Sequence, residues 1–287
     1  MARLNFGLRQ AKLLCRMPTK ERLDLIADGL PIILESARGF WNASGQLADK
    51  PREADVLEGF AEEEAAKILI LMDVVRCPSK LIPQKIGSVV GNFYDHLARL
   101  IYAEAQGWKP MHVSQLREYV DSERKAHYLE GNMGEYILPN WNVASRESLL
   151  YADIEAYEDG VPQWNKPTSY VSGLPRFAPT VLQVVEALSA VGIFSRKGLD
   201  ATAEIWGQLE FRDTESHADT RRLTEQLLKR LILEGLPSET ATQEDVNILY
   251  ESWQMPMYHL DFKLIDVPLA ELQERRDAIM WAEAGYY

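Results

Sequence analysis

A chain of 287 residues with 46% hydrophobic residues carries enough apolar surface for a substantial core, built as one large domain or two modest ones. Its formal charge of -12, from 43 acidic against 31 basic side chains, opposes nonspecific attachment to nucleic acid, because phosphates are repelled at long range. Two cysteines, Cys15 and Cys77, are too few for a disulfide framework and too far apart for a ligand pair, which points to a reducing compartment without a zinc site. No window offers the roughly 18 apolar residues of a membrane span, so the expectation is a cytoplasmic protein with no membrane partner.

From Thr19 to Trp41, Leu23, Ile26, Leu30, Ile33, Leu34, Ala37 and Phe40 recur at the spacing of one buried helical face, with Pro31 expected to kink or split the helix. Asp49 followed by Pro51 reads as an N-cap and first turn for a second helix through VLEGFAEEEAAKILILMDVV. The second half of that helix is apolar on nearly every side and belongs deep in a bundle; Cys77-Pro78 ends it. Gln84 to Ala105 repeats the helical spacing through Ile86, Val89, Val90, Phe93, Leu97, Leu100 and Ile101, as a third core helix. Val113 to Leu129 is polar, with a thin stripe of Leu116, Tyr119, Val120 and Ala126, and is expected on the surface.

GNMGEYILPNWN breaks the helical pattern. The following SLLYADIEAYEDGVPQWNKP has a short β-prone run and a Glu-Asp-Gly turn signal, the marks of a small hairpin near 148–165. Pro167, Gly173, Pro175 and Pro179 then make a linker-like passage, dividing a domain over 1–168 from a helical C-terminal extension over 169–287. Helical patterns resume from Thr180 through VLQVVEALSAVGIF, LDATAEIWGQLEF and TRRLTEQLLKRLILEGL; WQMPMYHLDFKLIDVP reads as extended and LAELQERRDAIMWAEA as a final helix. The fold class is therefore mainly α, a helical bundle with a short β-hairpin excursion and a helical C-terminal extension.

Charges inside an apolar helix must be paired, hydrated or used, which makes Glu62, Glu63, Glu64 and Lys67 the most informative cluster. Glu63 and Lys67, four apart, meet on one helix face, and the bland reading of them is a helix-rim ion pair. His96 lies at the edge of an apolar face among Val89, Phe93 and Leu100, with Arg99 beyond it. A histidine there is ordinarily a hydrogen-bonded, half-buried side chain; the functional reading requires a carboxylate from the preceding helix, Glu63 or Glu64, to orient the imidazole for general acid–base work.

These residues carry a family resemblance. Glu63-Glu64-Ala65-Ala66-Lys67 on one helix, Phe93-Tyr94-Asp95-His96-Leu97-Ala98-Arg99 on the next, then Arg146, Leu150-Tyr151-Ala152-Asp153, Gly160, Trp164 and Pro167 in order, resemble the pattern of the AbiV abortive-infection proteins over roughly residues 18 to 168. Where that family shows Leu-Gly before the lysine, this chain has Ala65-Ala66. The resemblance implies a HEPN-like helical bundle, a group that includes metal-independent ribonucleases. It also implies antiphage defence by abortive infection, with translation as the target, transfer or ribosomal RNA as substrate, a phage-encoded protein as trigger and a homodimer as one assembly. Catalysis would then use no cofactor or metal: His96 as general base or acid, Glu64 orienting it within the Glu63–Glu64 pair, and Lys67 or Arg99 on the phosphate.

A second histidine competes for that role. Arg212-Asp213-Thr214-Glu215-Ser216-His217 matches the Arg-x(4-6)-His pattern of HEPN ribonucleases, but 19 arginines and 5 histidines produce about one such match by chance, and Asp213 and Glu215 would repel a phosphate. Arg221, Arg222, Lys229 and Arg230 read as a solvated helix face, and the Trp253, Met255, Met257, Tyr258 and His259 stretch as packing rather than base stacking. The rival function is a non-catalytic helical protein that senses a phage product or sequesters a host factor, with the charged group as a buried network fixing helix register.

Overall fold

The computed structural model describes residues 12–132, 134–156, 161–169 and 176–284. The fold is mainly helical. Helix α1 (Thr19–Gly45) lies along α2 (Pro51–Arg76), followed by α3 (Ile82–Asn92), α4 (His96–Glu104) and α5 (Val113–Glu123). A hairpin of β1 (His127–Glu130) and β2 (Tyr136–Pro139), helix α6 (Trp141–Leu150), and a second hairpin of β3 (Asp153–Ala156) and β4 (Pro162–Asn165) come next. Helices α7 (Thr180–Ala190), α8 (Arg196–Trp206), α9 (His217–Leu233), α10 (Gln243–Ser252) and α11 (Leu269–Ala284) complete the described chain. No helix among the described residues is long and apolar enough to cross a membrane.

The core forms around α2, whose Ile68, Leu69, Ile70, Met72, Val74 and Val75 are all buried, as a helix apolar on every side must be. Leu23, Ile26, Leu30 and Leu34 of α1 join them, as do Val181, Val184, Val185 and Leu188 of α7. A single cluster of buried residues extends from Leu23 to Phe262 and so includes residues on both sides of position 168.

One buried polar group locks the C-terminal arm to α2. Asp73 accepts hydrogen bonds from Arg76 Nη2 (2.5 Å), Tyr102 Oη (2.9 Å) and the backbone N–H of Met257 (2.7 Å). The Arg76 guanidinium lies against the rings of both Trp206 and Trp253, 4.8 and 4.6 Å from their centroids, and donates to the Gln254 carbonyl. Trp253, Met255, Met257 and Tyr258 are consequently buried, as the packing reading of that stretch requires; the segment is irregular rather than a strand, apart from an isolated bridge between Lys125 and Ile265.

Several local expectations are corrected. Pro31 does not split α1; it sits on the exposed face, where the carbonyl it leaves unpaired can meet water. Lys50, not Asp49, occupies the N-cap position of α2. The expected helix from Gln84 to Ala105 is two helices, because Asp95 takes an extended conformation (φ -94°, ψ 124°) and its carboxylate accepts from Ala98 N at 3.0 Å, capping a new N-terminus. The segment from Val113 is helical only to Glu123, and Val113, Leu116 and Val120 are fully buried, so one face of α5 belongs to the core.

Residues 127–130 and 136–139 pair as an antiparallel hairpin that the sequence pattern did not announce, with Glu130 opposite Tyr136 and positive φ at Gly131 and Gly134. The expected hairpin near 148–165 is present as β3 paired with β4, Ile154 opposite Trp164; its Glu158-Asp159-Gly160 turn lies outside the described residues, as do Gly173 and Pro175 of the linker-like passage. Helix α6, unannounced, starts at Asn140, whose Oδ1 accepts from Val143 N while its Nδ2 donates to the carbonyls of Glu123 and Lys125. That anchor fixes the start of α6 against the end of α5, and α6 packs across α2 and α4.

Candidate functional site

Where α2, α4 and α6 meet, a buried carboxylate gathers three nitrogen-bearing side chains. Glu63, 5% exposed, has its Oε2 2.8 Å from His96 Nδ1 and 3.1 Å from Arg99 Nη2, and its Oε1 accepts from Arg146 Nε at 2.7 Å. Each element supplies its residue for a local reason. Glu63 lies on a buried stripe of α2 with Ala66 and Ile70, His96 opens α4 directly after the Asp95 cap, and Arg146 projects from α6, which Asn140 holds in place.

Burial raises the proton affinity of Glu63, but the Arg146 hydrogen bond, the charges of Arg99 and Arg146, and the His96 hydrogen bond outweigh it, holding the carboxyl below its ordinary range. The carboxylate is therefore ionised at neutral pH. An ionised oxygen at 2.8 Å assigns the hydrogen to His96 Nδ1, since a lone pair there would face a negative charge. Arg99 Nη2, also 2.8 Å from that nitrogen, is then held by Glu63 Oε2. The tautomer leaves the Nε2 lone pair without a hydrogen-bond partner among the described residues, on a side chain 57% exposed to solvent.

The expected partner of His96 among the two glutamates is corrected. Glu63 takes the place beside the imidazole, while Glu64 turns one helix step away and forms an ion pair with Lys67. Lys67 in turn lies over the Phe93 ring, 5.5 Å from its centroid, so the expected Glu63–Lys67 pair does not form. Of the sequence candidates, Glu63, His96 and Arg99 thus come together, and Glu64 and Lys67 form a separate pair along α2. Arg146 was legible only as a basic element of the ordered motif; its contact with a glutamate 83 positions earlier leaves no spacing signal.

The competing motif is not drawn into one group. Arg212 is 70% exposed and pairs with Glu210, whereas His217 heads α9 behind its Ser216 cap, and among the described residues no hydrogen bond or ion pair joins the two. Burial, then the charge of Arg221, lowers the proton affinity of His217. On the same helix Arg222, Lys229 and Arg230 pair with Asp219, Glu225 and Glu234, as a solvated face does. No three His, Cys, Asp or Glu side chains converge as metal ligands among the described residues. No family model, curated protein or solved structure matches the chain.

Proposed function

We propose that this chain is an antiphage effector of the abortive-infection kind that cleaves RNA without a metal, with His96 as its general base. The observation that carries the reading is the His96 imidazole, fixed through Nδ1 by the buried Glu63 carboxylate on a side chain more than half exposed. Three separate pieces of the ordered motif, Glu63, His96 with Arg99, and Arg146, meet at that point although they are far apart in sequence.

In the proposed step His96 Nε2 takes the proton of a ribose 2′-hydroxyl, and the 2′-oxygen attacks the adjacent phosphorus. The bond to the 5′-oxygen breaks, leaving a 2′,3′-cyclic phosphate, and the departing oxygen takes a proton from water. Glu63 stabilises the imidazolium that forms and keeps the ring in one orientation, a positioning role. Two guanidinia against one carboxylate leave the group with one net positive charge, to which the phosphorane charge is attracted; Arg99 is the nearer to His96.

The test is total RNA from bacteria expressing the wild type, His96→Ala and Arg212→Ala proteins, with and without phage challenge. Discrete transfer or ribosomal RNA fragments that vanish with His96→Ala and persist with Arg212→Ala are the expected result. Intact RNA in every strain alongside persistent phage protection would favour a binding function. A specific observation supports that second reading: the cavity beside Glu63 is lined by five carboxylates, a surface that repels RNA.

A further inference from the structure

Behind the His96 group, α2, α4, α6 and the segment at Arg176 and Phe177 enclose a cavity of about 460 Å³ that opens to solvent on one side, within the size range of small-molecule sites. Its body is apolar, with Val56, Phe60, Leu100, Leu149 and Phe177 among the walls. Its charge is lopsided. Asp55, Glu58, Glu62, Glu63 and Glu104 face it against only Arg146 and Arg176.

Four of those carboxylates are engaged. Glu63 holds Arg99 and Arg146, Asp55 and Glu58 share Arg176, and Glu104 accepts from the Tyr119 hydroxyl at 3.3 Å. Glu62 is different: it is partly buried, lines the cavity, and has no hydrogen-bond or ion-pair partner among the described residues. An unpartnered carboxylate so placed is costly unless something completes it.

We propose that this cavity binds a small organic cation, an ammonium or amidinium group carried on an aromatic body, with Glu62 as its counter-ion and Phe60 and Phe177 against its ring. The lining excludes the other classes. With Arg99 counted on Glu63, an anion would still meet two uncompensated negative charges, and a neutral ligand could give Glu62 a hydrogen bond but no counter-charge. Burial, then the negative charges of Glu58, Glu104 and Glu63, raises Glu62 to about 7, and Arg146 and Arg176 are the cations that face the same space. Binding of a cation therefore strengthens as pH rises through neutrality and Glu62 ionises.

The site is separable from the proposed RNA chemistry, since the cation needs Glu62 and the cavity but not His96. Calorimetric titration of the full chain at pH 8 with tryptamine, phenethylamine, benzamidine and agmatine, and with the neutral alcohol tryptophol, tests it. Saturable binding of at least one of the three aromatic cations is expected, with tryptophol at least tenfold weaker than tryptamine if tryptamine binds. Glu62→Gln should weaken the bound cation at least tenfold. Gly59→Leu fills the cavity from α2, where an added Cβ meets nothing within 4 Å, and should block binding. His96→Ala should bind as the wild type does. No saturable binding of any aromatic cation to millimolar concentration would overturn the proposal, and so would equal affinity in folded Glu62→Gln and Gly59→Leu proteins.

Discussion

Removing Glu63 and removing His96 should have opposite balances of stability and activity. Glu63→Ala deletes the acceptor for Arg146 at 2.7 Å, Arg99 at 3.1 Å and His96 at 2.8 Å, and strands two guanidinia whose side chains are only 10% and 20% exposed. Breaking a buried ion pair from one side costs about 3–5 kcal/mol; with Arg146 near the rim the low end, about 3, applies. Unfolding entropy near 2.1 cal/mol/K per residue makes 1 kcal/mol worth about 2 °C in a chain of 287 residues, so Tm should fall by about 5 °C. His96→Ala removes a side chain already 57% exposed and returns one hydrogen bond to water, a loss of about 1 kcal/mol or less and under about 2 °C. RNA cleavage should nevertheless drop by about a hundredfold or more with His96→Ala, the scale of a lost general base. Calorimetric melting of the two purified variants beside a fragment assay reads both quantities. A His96→Ala protein that melts as low as Glu63→Ala, or cleaves as well as the wild type, would refute the argument and make the group a helix-register lock.

Glu62 gives a pH signature of the opposite sign to Glu63. Its folded affinity for protons, about 7, exceeds its unfolded value, so the fold loses stability as pH rises from about 4.5 through 7, and Glu62→Gln should melt above the wild type at pH 8 but level with it at pH 4. Equal melting curves at pH 8 would count against the unpaired carboxylate. Asp73→Ala leaves Arg76 charged and buried beside two tryptophans and frees the Met257 N–H, so a loss of about 3–5 kcal/mol in urea unfolding is expected, with the fluorescence of Trp253 altered. Gly192→Ala meets both a positive φ of 87° and the Leu236 carbonyl 2.3 Å from the added Cβ, so it should cost about 2 kcal/mol or more, and a neutral result would mean the turn can move away from Leu236.

The sequence made the core legible where periodicity was strong. Helix α2 and the buried faces of α1 and α7 follow from apolar spacing alone, and Trp253 and Met257 follow from composition. The breaks were harder to see, because they depend on single hydrogen bonds. Asp95 ends one helix and begins another by accepting from Ala98 N, which no apolar pattern encodes, and this moves His96 from mid-helix to a helix start at the rim. Asn140 similarly starts α6 inside a stretch that reads as a break in the pattern. The choice between Glu63 and Glu64 turned on about 100° of helix rotation, a difference that spacing to Lys67 left open and that only the position of α4 and α6 decides.

Helix α2 carries two buried carboxylates with arginine partners, Glu63 and Asp73, and their surroundings differ. Asp73 has Arg76, the Tyr102 hydroxyl and the Met257 N–H around it, all buried, so every polar atom it touches is consumed by the fold. Glu63 has a comparable set of donors, but one of them, His96, has a second nitrogen with no partner among the described residues, on a side chain 57% exposed. A closed network gains nothing from a histidine, since arginine or lysine would hold a carboxylate without a second titrating nitrogen. An open end on a fixed imidazole is what proton transfer requires, and that asymmetry, more than any charge count, is why the proposed chemistry is assigned to His96 rather than to the better-satisfied Asp73.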